Sequence, residues 1–565
     1  MFLFHRESEK KSSEDHFRGA TVSRSTISLA NGGLFHASEN LLSEVHRIGD
    51  HSVYYRGWPA LGSGGAASIF ERWEENFCDE SFTLGRGSYL LILIDGATST
   101  LKILRDPWGS VPVYFGEDGD VVADQLTSVI KLKNASAFNT APIGEYLSSS
   151  YIVGSRMLYQ GIKAMTSMQG LVVDAQGARA FPNHRYPSTD TSITQDELVV
   201  ALGAAVGKSV DQVAERLCDP QQISVSLSGG TDSSLLVAEL MERYGKKAPL
   251  LCATVEYADW ARNDTPYFNH VVEAYDLPSH ITTIDNQSYA DSFTRLTREA
   301  RYPYHTFSPS FNALMGDLHS ANPTRHYLIN GTGPDEAVIG FETFPLPTMR
   351  EFDTTPFKDW VDLLLGRLDS FYTPDWIIKR VLKENCYEDP ARERRDLAAN
   401  LLDGCDRFSE FQRRYSKETI TDHHVRMLHH IAGLNGHEIV FPYLTHELFD
   451  LSFRAPYYSI NDDVSYKNVY KRILMKYFDR DFVYRPKIGF HAPSRRGFRE
   501  PNGMGALLRQ LPRAAYEEFF EPVAIAEEIN WRVYSNYAPM DYFLWTSTSL
   551  VSQYQLAKKA GMDRL

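Results

Sequence analysis

The residues with the clearest chemical potential are Ser228-Gly229-Gly230-Thr231-Asp232-Ser233-Ser234, which follow the apolar run Ile223 to Leu227 and precede Leu235, Leu236, Val237 and Leu240. Strand, small-residue turn and helix in that order present free backbone N–H groups and the positive end of a helix dipole to an anion. Ser228, Gly229, Gly230 and Ser233 supply the turn, and Asp232, at the start of the helix, is placed to hold Mg2+ against phosphates, since that hard ion takes oxygen ligands. The pattern Ser-Gly-Gly-x-Asp-Ser after an apolar strand is a far more specific signal of a phosphate-binding turn than a generic glycine turn.

Two further segments fit the same chemistry. Asn330-Gly331-Thr332-Gly333-Pro334-Asp335-Glu336 lies at the end of the apolar run Tyr327-Leu328-Ile329, where open α/β sheets bind ligands, and Asp335 is a candidate second Mg2+ ligand. Tyr484-Arg485-Pro486-Lys487-Ile488-Gly489-Phe490 sets a cation beside a glycine, suited to stabilising charge on a departing pyrophosphate. Two competing motifs fail. Gly207-Lys208-Ser209 resembles the end of a Walker A loop, but the required earlier glycine falls at Leu202 inside a periodic helix, and no GxGxxG follows a predicted strand.

These segments need a scaffold, and the chain divides into two parts that supply one. Up to about residue 185, short strand-like runs (Tyr89 to Ile94, Leu101 to Leu104, Val111 to Phe115, Gly170 to Val173) separated by Gly, Asp and Asn predict a β-rich domain. Tyr186 to Ser192 is polar and turn-rich and reads as a linker, giving domains at 1–190 and 191–565. A capping box, Thr194 with Glu197, opens a helix whose buried face is predicted as Val199, Leu202, Val206, Val210, Val213 and Leu217. Strands at Ile223 to Leu227, Leu250 to Val255 and Tyr327 to Asn330 alternate with helices, the pattern of a parallel sheet, and beyond residue 355 the chain reads as mainly helical.

Composition bounds the partners. The 565 residues are 43% hydrophobic and 23% charged, with a formal net charge of −14. That charge disfavours nucleic acid, whose binding rests on clustered Lys and Arg, although Arg495, Arg496 and Arg499 make a local basic group. No apolar run approaches a membrane span, and the N-terminal stretch is too short for a signal peptide, so a cytoplasmic protein is expected. Cys78, Cys218, Cys252, Cys386 and Cys405 are scattered without metal-binding spacing, and an odd count argues against a disulfide framework. His423, His424, His429 and His430 lack the spacing of a zinc motif. Tyr302, Tyr304, Phe307, Phe311, Phe341, Phe344, Phe352 and Phe357 fit core packing better than a substrate pocket.

Taken in order, the three motifs resemble the asparagine synthetase superfamily. Arg105-Asp106-Pro107-Trp108-Gly109-Ser110-Val111-Pro112-Val113-Tyr114 is similar to that family's RDxxGxxPLY segment, and Glu438-Ile439-Val440-Phe441-Pro442-Tyr443-Leu444 to its ExRxPFLD stretch, with Val440 in place of arginine. The resemblance implies an N-terminal glutaminase-like αββα domain and a C-terminal ATP-pyrophosphatase domain. It implies that Leu227, Val255, Asn330 and Gly331 line the nucleotide, that Asp232 and Asp335 bind Mg2+, and that Lys487 assists the acyl-adenylate steps.

The departures narrow the expectation. Glutamine-dependent members use an N-terminal cysteine exposed after Met removal, and here that position is Phe2, so ammonia from glutamine is not expected as nucleophile. Thr332 stands where asparagine synthetases carry glutamate and β-lactam synthetases tyrosine, and a threonine hydroxyl is a poor base at neutral pH. Glu438 is the candidate proton acceptor in its place. An α-amine, with an ordinary pKa near 8, keeps an appreciable neutral fraction without a strong base. The pattern is most like the lasso peptide macrolactam synthetases, which implies a precursor peptide as substrate, with a leader-recognition protein and a leader peptidase as partners. The alternative is a β-lactam synthetase-like or other amide ligase acting on a small-molecule carboxylate.

Overall fold

The computed structural model describes residues 1–6, 23–59, 65–78, 87–135, 137–245, 248–258, 264–302, 304–338, 346–369, 373–462, 465–486, 494–534 and 542–562. Alternating side chains in its N-terminal part build two antiparallel sheets. One runs Ile162–Ala164, Tyr114–Gly116, Val121–Ala123, Phe2–His5, Leu34–Glu39, Ser23–Ser28, and the other Gly177–Pro182, Gln169–Asp174, Thr100–Arg105, Tyr89–Asp95, His51–Gly57, Ser43–Ile48. Facing side chains such as Phe4, Phe35, Tyr54, Ile92, Ile103 and Leu171 form one buried cluster between them. The run Val111 to Phe115 is strand only from Tyr114, because Pro112 has no N–H to give a ladder.

Phe2 is 2% exposed and packs against the Phe35 and Tyr54 rings. The Arg105 to Tyr114 segment is likewise built into the interior. Arg105 donates to the Val111 and Met165 carbonyls, and the Asp106 carboxylate accepts from the Tyr89 and Trp108 N–H groups. Burial holds the Asp106 carboxyl above the ordinary carboxylate range even against these donors.

The segment read as a linker is pinned down: the Tyr186 hydroxyl donates to Glu418 at 2.7 Å and the Asp190 N–H to the Arg454 carbonyl at 2.8 Å. The next helix, Gln195–Arg216, opens on Thr194 with both halves of the capping box formed. Its buried face holds Leu202, Val206, Val210 and Val213, with Leu198 taking the place predicted for Val199, which is only half-buried. Gly207, Lys208 and Ser209 lie inside this helix, and Lys208 pairs with Glu447.

The C-terminal part carries a parallel sheet in the order Ser279–Ile284, Leu251–Tyr257, Ile223–Ser226, Tyr327–Ile329, Glu438–Val440. Ile223, Ser224 and Val225 are fully buried, as a central parallel strand between helical layers must be. Both edge strands escape a reading by pattern. Ser279–Ile284 is polar and half-exposed, and Glu438–Val440 is too short to carry a period. Among the described residues no helix is long and apolar enough to cross a membrane.

Candidate active site at the carboxyl edge of the parallel sheet

After the strand Ile223–Ser226 the chain adds neighbours on one side, Leu251–Tyr257 and Ser279–Ile284, and then returns to the other side with Tyr327–Ile329. The order reverses between Ile223–Ser226 and Tyr327–Ile329, so the loops leaving these two strands diverge and open a crevice at their carboxyl ends. Those loops are Leu227 to Gly230 and Asn330 to Gly333. Of the residues predicted to contact nucleotide, Leu227, Ser228, Gly229, Gly230, Asp232, Ser233, Asn330 and Gly331 stand at this edge, and Val255 lies in the adjoining strand.

The first loop is cinched by its own serines. Ser228 N donates to Ser233 Oγ at 3.2 Å, and Gly230 N to Ser228 Oγ at 3.2 Å. Gly229 has φ +71°, and a Cβ there would stand 2.5 Å from the Tyr267 backbone carbon, so only glycine fits. The helix Thr231–Tyr244 then begins at Gly230 with no side-chain cap, leaving its first-turn amides to an anion from outside.

The second loop packs on the start of that helix: a Cβ on Gly331 would meet Ser233 N at 3.3 Å. Asn330, 6% exposed, accepts from the Thr332 N–H at 3.0 Å and the Thr332 hydroxyl at 2.7 Å, so the Thr332 proton is engaged within its own turn. Glu336 closes the turn, one carboxylate oxygen accepting from Gly333 N at 3.0 Å and the other meeting His424 Nδ1 at 3.3 Å.

Between the loops lies a residue that the motifs did not reveal. Lys467 Nζ pairs with Asp232 Oδ2 at 2.6 Å and also with an Asp335 oxygen. Burial pulls this ammonium toward its neutral form, but the Asp232 and Asp335 charges win and raise its pKa above that of an ordinary lysine. Lys467 itself is held with φ +54°, its N–H donating to Asn461 Oδ1 at 2.8 Å. Its sequence context, Ser465-Tyr466-Lys467, carries no glycine or motif spacing to mark it; only the fold brings it beneath two carboxylates that lie 103 residues apart in the numbering of Asp232 and Asp335.

Two carboxylates reaching one cationic centre are a donor set that suits Mg2+, which takes one or two protein carboxylates and fills its remaining positions with phosphate oxygens and water. Tyr443, 2% exposed, donates to the Asp232 carbonyl at 2.9 Å and steadies that helix start. Arg485 donates to the Gly229 carbonyl and stacks 4.0 Å above the Tyr267 ring, fixing the start of the third motif against the first loop. Lys487 lies outside the described residues, as do Ile488, Gly489 and Phe490 of its motif, Phe341 and Phe344, and the side chains of Arg495 and Arg496.

Glu438 is placed elsewhere, which corrects the role expected of it. It begins the strand Glu438–Val440 opposite Tyr327, at the amino end of the sheet, about 10 Å along the strand from the carboxyl edge. Its carboxylate is committed to Arg56 Nε at 2.9 Å and Asn40 Nδ2 at 2.5 Å, and Arg56 in turn donates to Asp124 at 2.6 Å. Glu438 is thus a joint between the sheet and the N-terminal part, and a second one is the Trp108 Nε1 to Thr445 carbonyl bond at 2.9 Å. The histidines divide in a similar way. Burial presses His430 down to about 3 and His423 and His429 well below the ordinary value, whereas His424 faces Glu336 of the second loop. Tyr302 and Tyr304 are buried in the core, while Phe357 is 51% exposed.

A glycine-rich loop and an acidic loop converging at the switch point define, as a class, an open α/β protein with its ligand site at the carboxyl edge of a parallel sheet. The family model for asparagine synthase matches residues 209–535, more than half of the chain, and the chain belongs to that family. No curated protein matches it. Among solved structures it is similar to a glutamine-dependent NAD+ synthetase from Acinetobacter baumannii in complex with adenosine diphosphate, at 13% identity and a TM-score of 0.20. That match covers 49% of this chain and 60% of the other.

Proposed function

We propose that this chain is an ATP-dependent amide-forming ligase that adenylates a carboxylate and transfers the acyl group to an amine. The observation that carries the reading is the meeting of Asp232 and Asp335 at one buried cation beneath the Ser228 to Gly230 turn. Membership of the asparagine synthase family supports it.

In the first step a carboxylate oxygen attacks the α phosphorus, the bond to the β,γ unit breaks, and pyrophosphate leaves. The Gly229 and first-turn amides bind the phosphates, with Asp232, Asp335 and Lys467 setting the charge balance around them. Mg2+, when bound by Asp232 and Asp335, would supply neutralisation of the leaving group. Lys487 is the candidate for charge stabilisation on the acyl-phosphate side. In the second step an amine nitrogen attacks the acyl carbonyl, its proton is lost, and AMP departs.

The substrate we favour is a peptide whose N-terminal amine closes a ring onto an Asp or Glu side chain, as in lasso peptide macrolactam synthetases. A leader-recognition protein and a leader peptidase then act beside it. Two features support this. Phe2 stands where a glutaminase needs its cysteine and is packed into the core. Thr332 offers no strong base, which suits an α-amine that is partly neutral already and is held close to its target. A small-molecule carboxylate, as in β-lactam formation, is the second reading.

The test is ATP–pyrophosphate exchange with a peptide bearing a free N-terminal glycine and an internal glutamate, set against a β-amino acid. Peptide-dependent exchange with AMP as product is expected. Release of ADP and phosphate with either compound overturns adenylation, and exchange with the β-amino acid alone overturns the peptide.

A further inference from the structure

An amine that attacks an acyl-adenylate must shed a proton, and neither residue considered for that task at the outset is arranged for it. The Thr332 hydroxyl is tied to Asn330 Oδ1, and Glu438 is bound to Arg56 at the far end of its strand. We propose that His424, oriented by Glu336, accepts the amine proton in the acyl-transfer step. This inference rests on the amide-ligase reading above.

The geometry is that of a histidine held by a carboxylate of the helix Pro334–Val338, which follows the second loop. Glu336 is 3% exposed and uses both oxygens, one on Gly333 N at 3.0 Å and one on His424 Nδ1 at 3.3 Å. A carboxylate accepts only, so Nδ1 carries the hydrogen, and in the neutral ring Nε2 is then the basic nitrogen. The imidazole is therefore anchored one carboxylate away from Gly333. Its side chain is 17% exposed, whereas that of Glu336 is 4% exposed.

The groups around His424 make it the proton carrier of the cluster. From the segment before the helix Ser308–Ala321, His305 and Phe307 face its ring at 6.4 and 5.3 Å. On its own helix His423 adjoins it at 5.9 Å, with Arg426 adding positive charge to that side. Burial presses His305 down to about 3 and His423 well below the ordinary histidine range, so both stay neutral at physiological pH. His424 instead faces the Glu336 carboxylate. In the step itself the amine nitrogen bonds to the acyl carbon, its proton passes to Nε2, and the bond to AMP breaks. Glu336 is a positioning residue, since it acts only through the ring.

The experiment separates the two half-reactions with the peptide probe named above. Wild-type enzyme must first show peptide-dependent ATP–pyrophosphate exchange; its absence defeats the ligase reading and this inference with it. Given that exchange, His424→Asn should lower amide formation at least about 100-fold more than it lowers exchange, the usual weight of a general base. Hydroxylamine, a nucleophile that is neutral without help from a base, should trap the adenylate equally well in variant and wild type. The acid limb of the pH profile for acyl transfer should be present in the wild type and missing in the variant. Glu336→Gln should give a smaller loss and, in 15N-histidine spectra without substrate, move the tautomer signal that His424→Asn removes. An equal fall in exchange, amide formation and hydroxylamine trapping would make His424 merely structural. Amide formation within about threefold of wild type, against the factor expected of a base, would overturn the proposal.

Discussion

Replacing Lys467 by methionine is the sharpest test of how the site is held together. The side chain keeps its length and its burial, but the ammonium shared by Asp232 and Asp335 is gone. These three side chains are 8%, 16% and 24% exposed, so water replaces the lost charge poorly. Both carboxylate oxygens reach one nitrogen, so they stand no more than about 6 Å apart. At an effective dielectric of about 20, two unit negative charges at that separation repel by roughly 3 kcal/mol. This agrees with the about 3–5 kcal/mol cost of breaking a buried pair by removing one partner. Urea unfolding of metal-free Lys467→Met protein at neutral pH should therefore show a loss near 3 kcal/mol. Millimolar Mg2+ should restore much of it, because the ion takes the place between the carboxylates. Mn2+, followed by its electron paramagnetic resonance signal, should bind the ATP-free variant more tightly than wild type, in which the ammonium already fills that place. Unfolding free energies that agree to within about 0.5 kcal/mol, the scatter of ordinary surface substitutions, would refute the shared-cation argument.

Three other outcomes follow from the same structure. Gly229→Ala puts a Cβ 2.5 Å from the Tyr267 backbone at φ +71°, so nucleotide affinity measured by calorimetry should collapse and stability fall by about 2 kcal/mol; unchanged ATP binding would contradict the role of the turn. Glu438→Gln should weaken unfolding stability by about 2 kcal/mol and slow exchange and amide formation to the same extent, because Arg56 loses one of its two carboxylate partners and keeps Asp124; a selective loss of amide formation would reinstate Glu438 in the chemistry. Burial holds His305 and His430 at about 3 and His184 and His437 at about 4, all below the 6.5 of an exposed histidine. The unfolded chain thus binds more protons below pH 6.5, and each such ring withdraws about 1.4 kcal/mol of stability per pH unit as pH falls from there toward its folded value. A urea midpoint that stays level from pH 6.5 to 5 would show these rings to be solvated.

The shape of the Ser228 to Gly230 turn was legible in the sequence because its requirements are local. Gly229 must adopt a positive φ and admit the Tyr267 backbone, the serines must close a short turn on each other, and Asp232 must begin a helix; all of that is written within a few residues of chain. The central strands and the capping box at Thr194 were legible for the same reason, since period and cap depend on near neighbours. The edge strands were not, because Ser279–Ile284 and Glu438–Val440 owe their state to the strand beside them.

What only the tertiary structure decided is which charges meet. Glu438 sits in a segment that looks catalytic, yet strand register puts it opposite Tyr327 and against Arg56 of the N-terminal part. Lys467 and His424 sit in segments without a motif, yet the turn that carries one and the helix that carries the other bring them to Asp232 and Asp335 and to Glu336. Backbone shape is a property of neighbours in the chain, and so a short motif can announce it. A buried charge needs its opposite within a few ångströms, and the residue that answers it is chosen by packing between elements remote in sequence.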